Sequence, residues 1–134
     1  MTRSEGLRFL EEHHRGVLAT IRANGLPQLS PIVYAVMDGK IRISSTWTRA
    51  KTRNLQRDPR AALCVLTPEF RPYLVVEGRV RLVEDPTGDE NARLYERITG
   101  APPEDLDEYR AAMKRERRLV YELSLDRLYP VDGD

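Results

Sequence analysis

Residues 16–46, GVLATIRANGLPQLSPIVYAVMDGKIRISST, place two short turn signals between runs of apolar and β-branched residues. Asn24-Gly25 and Asp38-Gly39 are dipeptides that tolerate the positive φ angles of tight hairpin turns. The flanking runs alternate in the way that half-buried strands do. We therefore predict three antiparallel strands joined in a meander, over residues 16–22, 28–37 and 40–46.

The rest of the chain adds helices and about three further strands to this meander. Pro31 cannot donate a backbone hydrogen bond, so it indicates an edge or a bulge in the second strand, and Gly78 indicates a bend in the fifth. About six strands in so short a chain favour a mainly β fold with inserted helices, in a closed or nearly closed barrel. The predicted elements are a helix over 4–14 with Ser4 as N-cap, a helix over 50–58, strands over 61–67 and 73–83, two helices within 85–117 and a strand over 119–125.

The composition limits the classes of function. The 134 residues allow one domain, 1–134, and 22 basic against 21 acidic residues give a net charge of +1, which argues against a general binder of nucleic acid or anionic membranes. No apolar run approaches the ~20 residues of a membrane span, and the charged N-terminus lacks a signal-peptide core. We therefore expect a cytoplasmic protein. Its single cysteine, Cys64, is predicted to be an inert, buried core residue.

Familiar catalytic constellations are absent from the sequence. His13 and His14 are adjacent and have no acidic or cysteine ligands at metal-binding spacing, so we predict no metal site and place both at the end of the first helix. A glycine-rich phosphate loop and a nucleophile elbow are also missing. The sequence therefore assigns no catalytic side chain.

One segment is strongly basic. Residues 48–60 hold five basic residues and one acid, a local charge of +4, and Arg49, Arg53 and Arg57 recur at a four-residue spacing that makes them repel on a helix. A bound anion would relieve that repulsion at the start of the helix, where the backbone N–H groups already favour negative charge. A phosphate site and a solvated basic face explain the cluster about equally well, and nucleic-acid binding ranks third.

Side chains around this cluster suggest how an anion would be held. Thr46 or Thr48 is predicted to cap the helix, while Lys51 and Thr52 would add charge and a hydroxyl donor. Trp47, on the loop before the helix, packs on the core or covers a planar ligand. Among the tyrosines, predicted to be core or interface residues, Tyr73 follows a loop and is the one most open to another role.

The motifs resemble those of a known superfamily. Gly16-Val-Leu-Ala-Thr with Gly25-Leu-Pro-Gln following, and Arg49-Ala-Lys-Thr-Arg-Asn-Leu followed by Asp58-Pro59, are similar to the pyridoxamine-phosphate oxidases and related flavoproteins. The likeness extends over residues 7–129 and is greater to the branch that uses the 5-deazaflavin coenzyme F420. It implies a six-stranded Greek-key split β-barrel of the FMN-binding type, forming a single cofactor-binding domain.

The resemblance also implies a homodimer with the cofactor in a groove between its subunits. The phosphate would lie where the third strand meets the short helix, with polar contacts from the strand end, and the ring system would lie along the second strand. Carried over to this sequence, the implied cofactor-binding residues are Arg49, Ala50, Lys51 and Thr52 for the phosphate, Asn54, Ser44 and Ser45 as polar contacts, and Gln28, Ser30 and Ile32 near the ring.

The implied activity is hydride transfer between the deazaflavin and a small organic acceptor, with neither nucleic acid nor membrane as a partner. The phosphate motif is shared with FMN-using relatives, whose vitamin-pathway oxidases resemble Ser-Arg-Lys at this place. The alternatives are therefore an FMN-binding oxidoreductase of the same fold and a deazaflavin carrier without turnover. The acceptor is not specified by the sequence.

Overall fold

The computed structural model describes residues 1–132 of the chain. Four helices and seven strands make up the described part, and none of these helices is long and apolar enough to cross a membrane. In chain order the elements are α1 (Arg3–Glu12), β1 (Arg15–Ile21), β2 (Pro27–Met37), β3 (Lys40–Thr46), α2 (Ala50–Arg57), β4 (Arg60–Leu66), β5 (Tyr73–Glu84), α3 (Asp89–Thr99), α4 (Leu106–Arg115), β6 (Arg118–Leu123) and β7 (Arg127–Tyr129).

The predicted meander is confirmed, although its two turns differ. At the second turn Asp38 and Gly39 both have positive φ, 54° and 73°, as a two-residue hairpin of this hand requires. The first connection is a five-residue loop in which Gly25 has φ 88° while Asn24 keeps a negative φ. The Arg22 N–H closes this loop by donating to the Leu26 carbonyl at 2.9 Å.

The strands form an antiparallel sheet that closes on itself. Their order is β4-β1-β2-β3-β6-β5-β7, and an additional β4–β5 pairing closes the first six strands into the expected barrel. The short β7 is an addition to the edge of β5 that the sequence analysis missed. The single last strand predicted over 119–125 is interrupted after Leu123, because the chain leaves the ladder before it pairs again with β5.

Two bends allow the sheet to close. Residues 27–33 of β2 pair with β1 and residues 34–37 with β3, so Pro31 lies where the strand has a neighbour on one side only, as its missing N–H requires. In β5 the pairing changes from β4 to β6 just after Gly78. A Cβ at Gly78 would collide with the carbonyl oxygen of Ser124, so this close crossing requires glycine.

The ends of α1 differ from the predicted N-cap and show what the two histidines do. Thr2 caps α1, in a reciprocal pair of bonds with Glu5 of 3.1 and 3.0 Å, and Ser4 lies inside the helix. His13 is the C-cap, with Nδ1 2.7 Å from the Phe9 carbonyl, and His14 Nδ1 lies 3.0 Å from the Tyr34 carbonyl. Both histidines therefore have structural roles where the chain enters the barrel.

An apolar core fills the barrel. Alternate residues of each strand point inward, and the largest buried side chains include Tyr34 and Tyr121. The Tyr34 hydroxyl donates to the Leu10 carbonyl at 2.9 Å, which holds α1 over one end of the barrel. Helices α3 and α4 pack outside the barrel, with α3 against β2, β3 and β6. They form one wall of the site described next.

Candidate functional site

A groove of about 880 Å³ runs between the barrel and the helices outside it. Its floor is β2 and the end of β3, one end is formed by the start of α2 and of β6, and its wall is α3 with part of α4. Its lining includes eight of the predicted site residues: Gln28, Ser30, Ile32, Ser44, Ser45, Arg49, Ala50 and Lys51.

Cations gather at one end of this groove. Arg49 and Lys51 lie at the start of α2. Arg118 is the first residue of β6 and pairs with Thr46 of β3. Burial lowers the pKa of Lys51, and the neighbouring charges of Arg49 and Arg118 lower it further. Arg118 pairs with Glu116 at 2.8 Å, whereas Arg49 and Lys51 have no acidic partner within residues 1–132. A bound anion would therefore reduce the repulsion that lowers the pKa of Lys51.

The start of α2 differs from the prediction in its cap. Arg49 occupies the N-cap position without a side-chain cap bond, while Thr46 and Thr48 bond each other through their hydroxyls at 2.9 Å. The first backbone N–H groups of a helix have no partners within it. In α2 these belong to Ala50 and Lys51, which line the groove, so the helix start offers N–H donors beside the cations.

Two serines at the end of β3 differ in how their hydroxyls are used. Ser44 Oγ lies 2.5 Å from Asn91 Oδ1. Ser45 is 3% exposed and, as the next residue of the strand, points to the opposite face, into the barrel, where its hydroxyl lies beside that of Tyr121. Of the two serines, Ser44 therefore presents its hydroxyl on the side of the groove and α3.

Thr52 and Asn54 lie outside the groove, contrary to the expectation that they contact the ligand. The Thr52 hydroxyl is fully buried and donates to the Thr46 carbonyl at 2.6 Å, which leaves it to accept from the Tyr121 hydroxyl. Asn54 Nδ2 donates to Gln28 Oε1 at 2.9 Å. Thr52 therefore fixes α2 against the barrel, and Asn54 orients a groove residue.

The opposite wall of the groove is apolar. Leu94, Tyr95 and Ile98 of α3 line it together with Tyr109 of α4, and the rings of Tyr95 and Tyr109 lie 5.4 Å apart at 58°. Burial raises the pKa of Tyr109. On the floor, Leu29 is 66% exposed and contributes to the same surface. The groove thus joins a cationic end to an apolar slot.

Sequence reasoning missed part of this lining, namely Arg15, Asn91, Tyr109 and Arg118. The apolar period of the sequence does place Tyr95 and Ile98 on the stripe of one helix and Tyr109 on the stripe of the next, but the direction of both stripes toward a ligand groove depends on the packing of the helices. Arg118 belongs to a second basic run, and its approach to Lys51 depends on the distant β3–β6 pairing.

Three other candidates lie outside the groove. Trp47 packs against the core and lines a separate hollow with Met113, so a planar ligand in the groove does not meet it. Cys64 is partly exposed on the outer face of β4 rather than buried, because alternate β4 residues face outward, and Tyr73 borders the same small hollow.

An ionic cluster anchors the α3 wall to the barrel. Arg42 reaches Glu122 of β6 at 2.7 Å and Glu90 of α3 at 2.6 Å, and Glu122 also accepts from Arg81 at 3.1 Å and Lys40 at 3.4 Å. Burial raises the pKa of Glu122, but the hydrogen bonds from Arg42 and Arg81 outweigh it and lower the pKa overall. Within the cluster the Arg42–Glu122 pair is shielded from water, at 11% and 7% exposure, whereas Arg81 and Lys40 are largely exposed, so Arg42 is the residue that ties α3 to the barrel.

Comparison with known proteins identifies relatives over nearly the whole chain. The sequence profile of the family described as pyridoxamine 5'-phosphate oxidase matches residues 3–132. A solved structure of an F420 reductase is 30% identical, with a TM-score of 0.69, and the match covers 90% of this chain and 94% of that one. A conserved hypothetical protein from Mycobacterium tuberculosis is 26% identical, with a TM-score of 0.78 and coverage of 96% and 82%. An FAD-binding protein from Mesorhizobium loti, 18% identical with a TM-score of 0.66 and coverage of 96% and 90%, shares the fold.

Proposed function

Because this chain belongs to the pyridoxamine 5'-phosphate oxidase family, whose split-barrel fold it has, we propose that it is an oxidoreductase that binds a flavin-type cofactor in the groove. We further propose that the cofactor is the deazaflavin F420 and that the protein transfers a hydride between it and a small organic acceptor. The observation that carries the proposal is that one groove has a cluster of cations at one end and, beyond it, a slot between the polar side chains of β2 and the apolar side chains of α3 and α4.

The cationic end suits the cofactor's phosphate. Arg49 and Lys51 would neutralise it together with Arg118, which also pairs with Glu116, and the free N–H groups at the start of α2 would donate to it. Each of these groups is in place before a ligand arrives. The site therefore needs little rearrangement to bind an anion.

The floor suits the planar ring. Gln28, Ser30 and Ile32 are every second residue of β2, so they share one face of the strand. They span about 13 Å at the usual rise of a strand. Gln28 is held by Asn54, so its orientation is fixed by the body of the protein. When bound, the cofactor supplies the hydride chemistry; the chain holds the ring against β2 and limits access of water from the side of α3.

The choice of deazaflavin over FMN is supported by the 30% identity to an F420 reductase and by the Arg49-Ala-Lys-Thr-Arg-Asn-Leu form of the phosphate segment. The protein is then an F420-dependent reductase of this family. FMN in the same groove is the alternative within the same fold.

We also propose that a second copy of the chain completes the groove. Leu29 and Val33 are 66% and 47% exposed on β2, and both line the groove beside Pro31. Apolar side chains grouped on an exposed strand are typical of an interface. A homodimer would cover this edge and enclose the ring.

Titration with F420 and with FMN, followed by fluorescence, tests the cofactor. We expect F420 to bind more tightly, and Lys51→Ala to weaken both ligands by about tenfold or more through loss of a charge-assisted contact. Arg53→Ala is the matched control, because Arg53 lies on the same helix but bonds the Thr48 carbonyl outside the groove. Tighter binding of FMN would assign the alternative cofactor, and binding of reduced F420 without reduction of any acceptor in a broad panel would indicate a carrier.

A further inference from the structure

A chain of hydrogen bonds leads from the groove to a buried carboxylate. Arg118 Nη1 lies 3.5 Å from Ser44 Oγ, Ser44 Oγ lies 2.5 Å from Asn91 Oδ1, and Asn91 Nδ2 lies 2.7 Å from Asp85 Oδ2. Arg118, Ser44 and Asn91 line the groove, whereas Asp85, 7% exposed, does not. This series of hydrogen bonds connects β6, β3, α3 and the segment between β5 and α3.

The direction of each bond follows from what the groups can donate. Asp85 accepts three N–H bonds, from the backbone of Glu90 at 3.0 Å and from the backbone and side chain of Asn91 at 3.0 and 2.7 Å. A carboxylate only accepts, so the amide nitrogen of Asn91 faces Asp85 and its oxygen faces Ser44. The amide oxygen also only accepts, so Ser44 donates its single proton to Asn91.

The remaining contact of Ser44 agrees with this direction. The guanidinium of Arg118 has donors only, so Ser44 accepts from it across the long 3.5 Å contact. The Ser44 hydroxyl thus has no proton left for a ligand in the groove. Its neighbour Ser45 points to the opposite face of β3, into the barrel beside the Tyr121 hydroxyl, and does not contribute its hydroxyl to this point of the groove.

We infer that Asp85 and Asn91 are positioning residues that hold the Ser44 hydroxyl as a hydrogen-bond acceptor, so that this point of the groove selects a ligand N–H or O–H group and disfavours an anionic oxygen. The inference rests on the proposed function, since it concerns the same groove.

The structure offers variants that separate this role from folding. Asn91→Ala removes the amide but keeps the two backbone N–H bonds to Asp85 that begin α3, so the helix start is retained. Ser44→Ala removes the acceptor, and Ser45→Ala is the matched control on the adjacent residue. Asp85→Asn changes the carboxylate at the buried end of the hydrogen-bond series. It also disturbs the start of α3, so it is a secondary variant.

Nuclear magnetic resonance of the ligand-free protein tests the hydrogen bonds between Ser44, Asn91 and Asp85 directly. We expect Ser44→Ala and Asp85→Asn both to shift the side-chain amide resonances of Asn91, and the Ser45→Ala control to leave them in place. Amide resonances of Asn91 that Ser44→Ala leaves unchanged would overturn the inference, whatever ligand the groove binds.

Binding of FMN and riboflavin tests the consequence, because the two probes share ring and hydroxyl donors and differ by the phosphate. Ser44→Ala should weaken both probes by the same factor, about tenfold. In the Asn91→Ala background the hydroxyl can rotate, so the same substitution should cost less than about threefold. An equal factor in both backgrounds, or a loss confined to FMN, would overturn the inference. If Lys51→Ala leaves the preference for FMN over riboflavin unchanged, the phosphate site of the proposed function fails, and the Asn91 resonances still decide the inference.

Discussion

Substitution of Glu122 by glutamine is expected to destabilise the fold strongly, because this carboxylate is the centre of the ionic cluster under α3. Its side chain is 7% exposed and accepts from Arg42, Arg81 and Lys40. Glutamine keeps one acceptor oxygen but turns an NH2 group toward cations. Removing one partner of a buried ion pair costs about 3–5 kcal/mol, and we take about 3 kcal/mol because one acceptor survives.

The expected change in melting temperature follows from the size of the chain. For 134 residues the entropy of unfolding near 60 °C is about 0.28 kcal/mol per degree, so about 3 kcal/mol lowers Tm by about 11 °C. Circular dichroism melts measure it. Glu108→Gln is the matched control, since Glu108 pairs with Arg115 where both side chains are 63% exposed, and it should cost less than about 0.5 kcal/mol. Equal, small shifts for the two variants would refute the reasoning that burial makes the Glu122 cluster strong.

Three other outcomes are expected. Gly78→Ala should lower stability by about 3 kcal/mol or prevent folding, because its Cβ meets backbone, whereas Gly6→Ala, with ordinary 3.5 Å contacts, should be neutral or stabilising in chemical denaturation. Thr52→Val should cost about 1–3 kcal/mol by removing the buried acceptor of the Tyr121 hydroxyl, yet change ligand affinity less than threefold; a tenfold loss of affinity would place Thr52 in the site after all. Burial and two neighbouring arginines lower the pKa of Lys51 below its unfolded value, so ligand-free stability should rise with pH as the ammonium loses its proton. The raised pKa values of the buried tyrosines lower stability over the same range in both chains, so the test is the difference between them. In urea titrations from pH 8 to 10.5 the stability of the wild-type chain relative to Lys51→Met should rise, and equal slopes would contradict it.

Local chemistry was sufficient to predict much of the fold. Asp38-Gly39 allows both positive φ angles of a tight turn, and Gly78 marks the bend that closes the barrel. The failures are equally local in origin. The Asn24-Gly25 turn signal does not distinguish a two-residue turn from a five-residue loop, and the break before β7 depends on where Ser124 crosses Gly78.

The candidate site was predictable where its residues are consecutive in the chain. The charge of Arg49 and Lys51 is visible in one segment, and so is the start of the helix that presents it. Arg118 and Asn91 reach the groove only through strand pairing and helix packing, which one sequence does not specify. Threonine is a suitable residue type for a phosphate contact, but the orientation of α2 about its axis directs the Thr52 hydroxyl into the core.

The pairing of β3 with β6 has a consequence for how the chain folds. Thr46 pairs with Arg118, so two strands separated by more than half the chain must meet before the three groove cations become neighbours. Such non-local contacts are slow to form, and here the final approach also brings like charges together. A phosphate-bearing ligand present during refolding should therefore act as a counter-ion at this seam, accelerating closure of the barrel as well as stabilising the closed form.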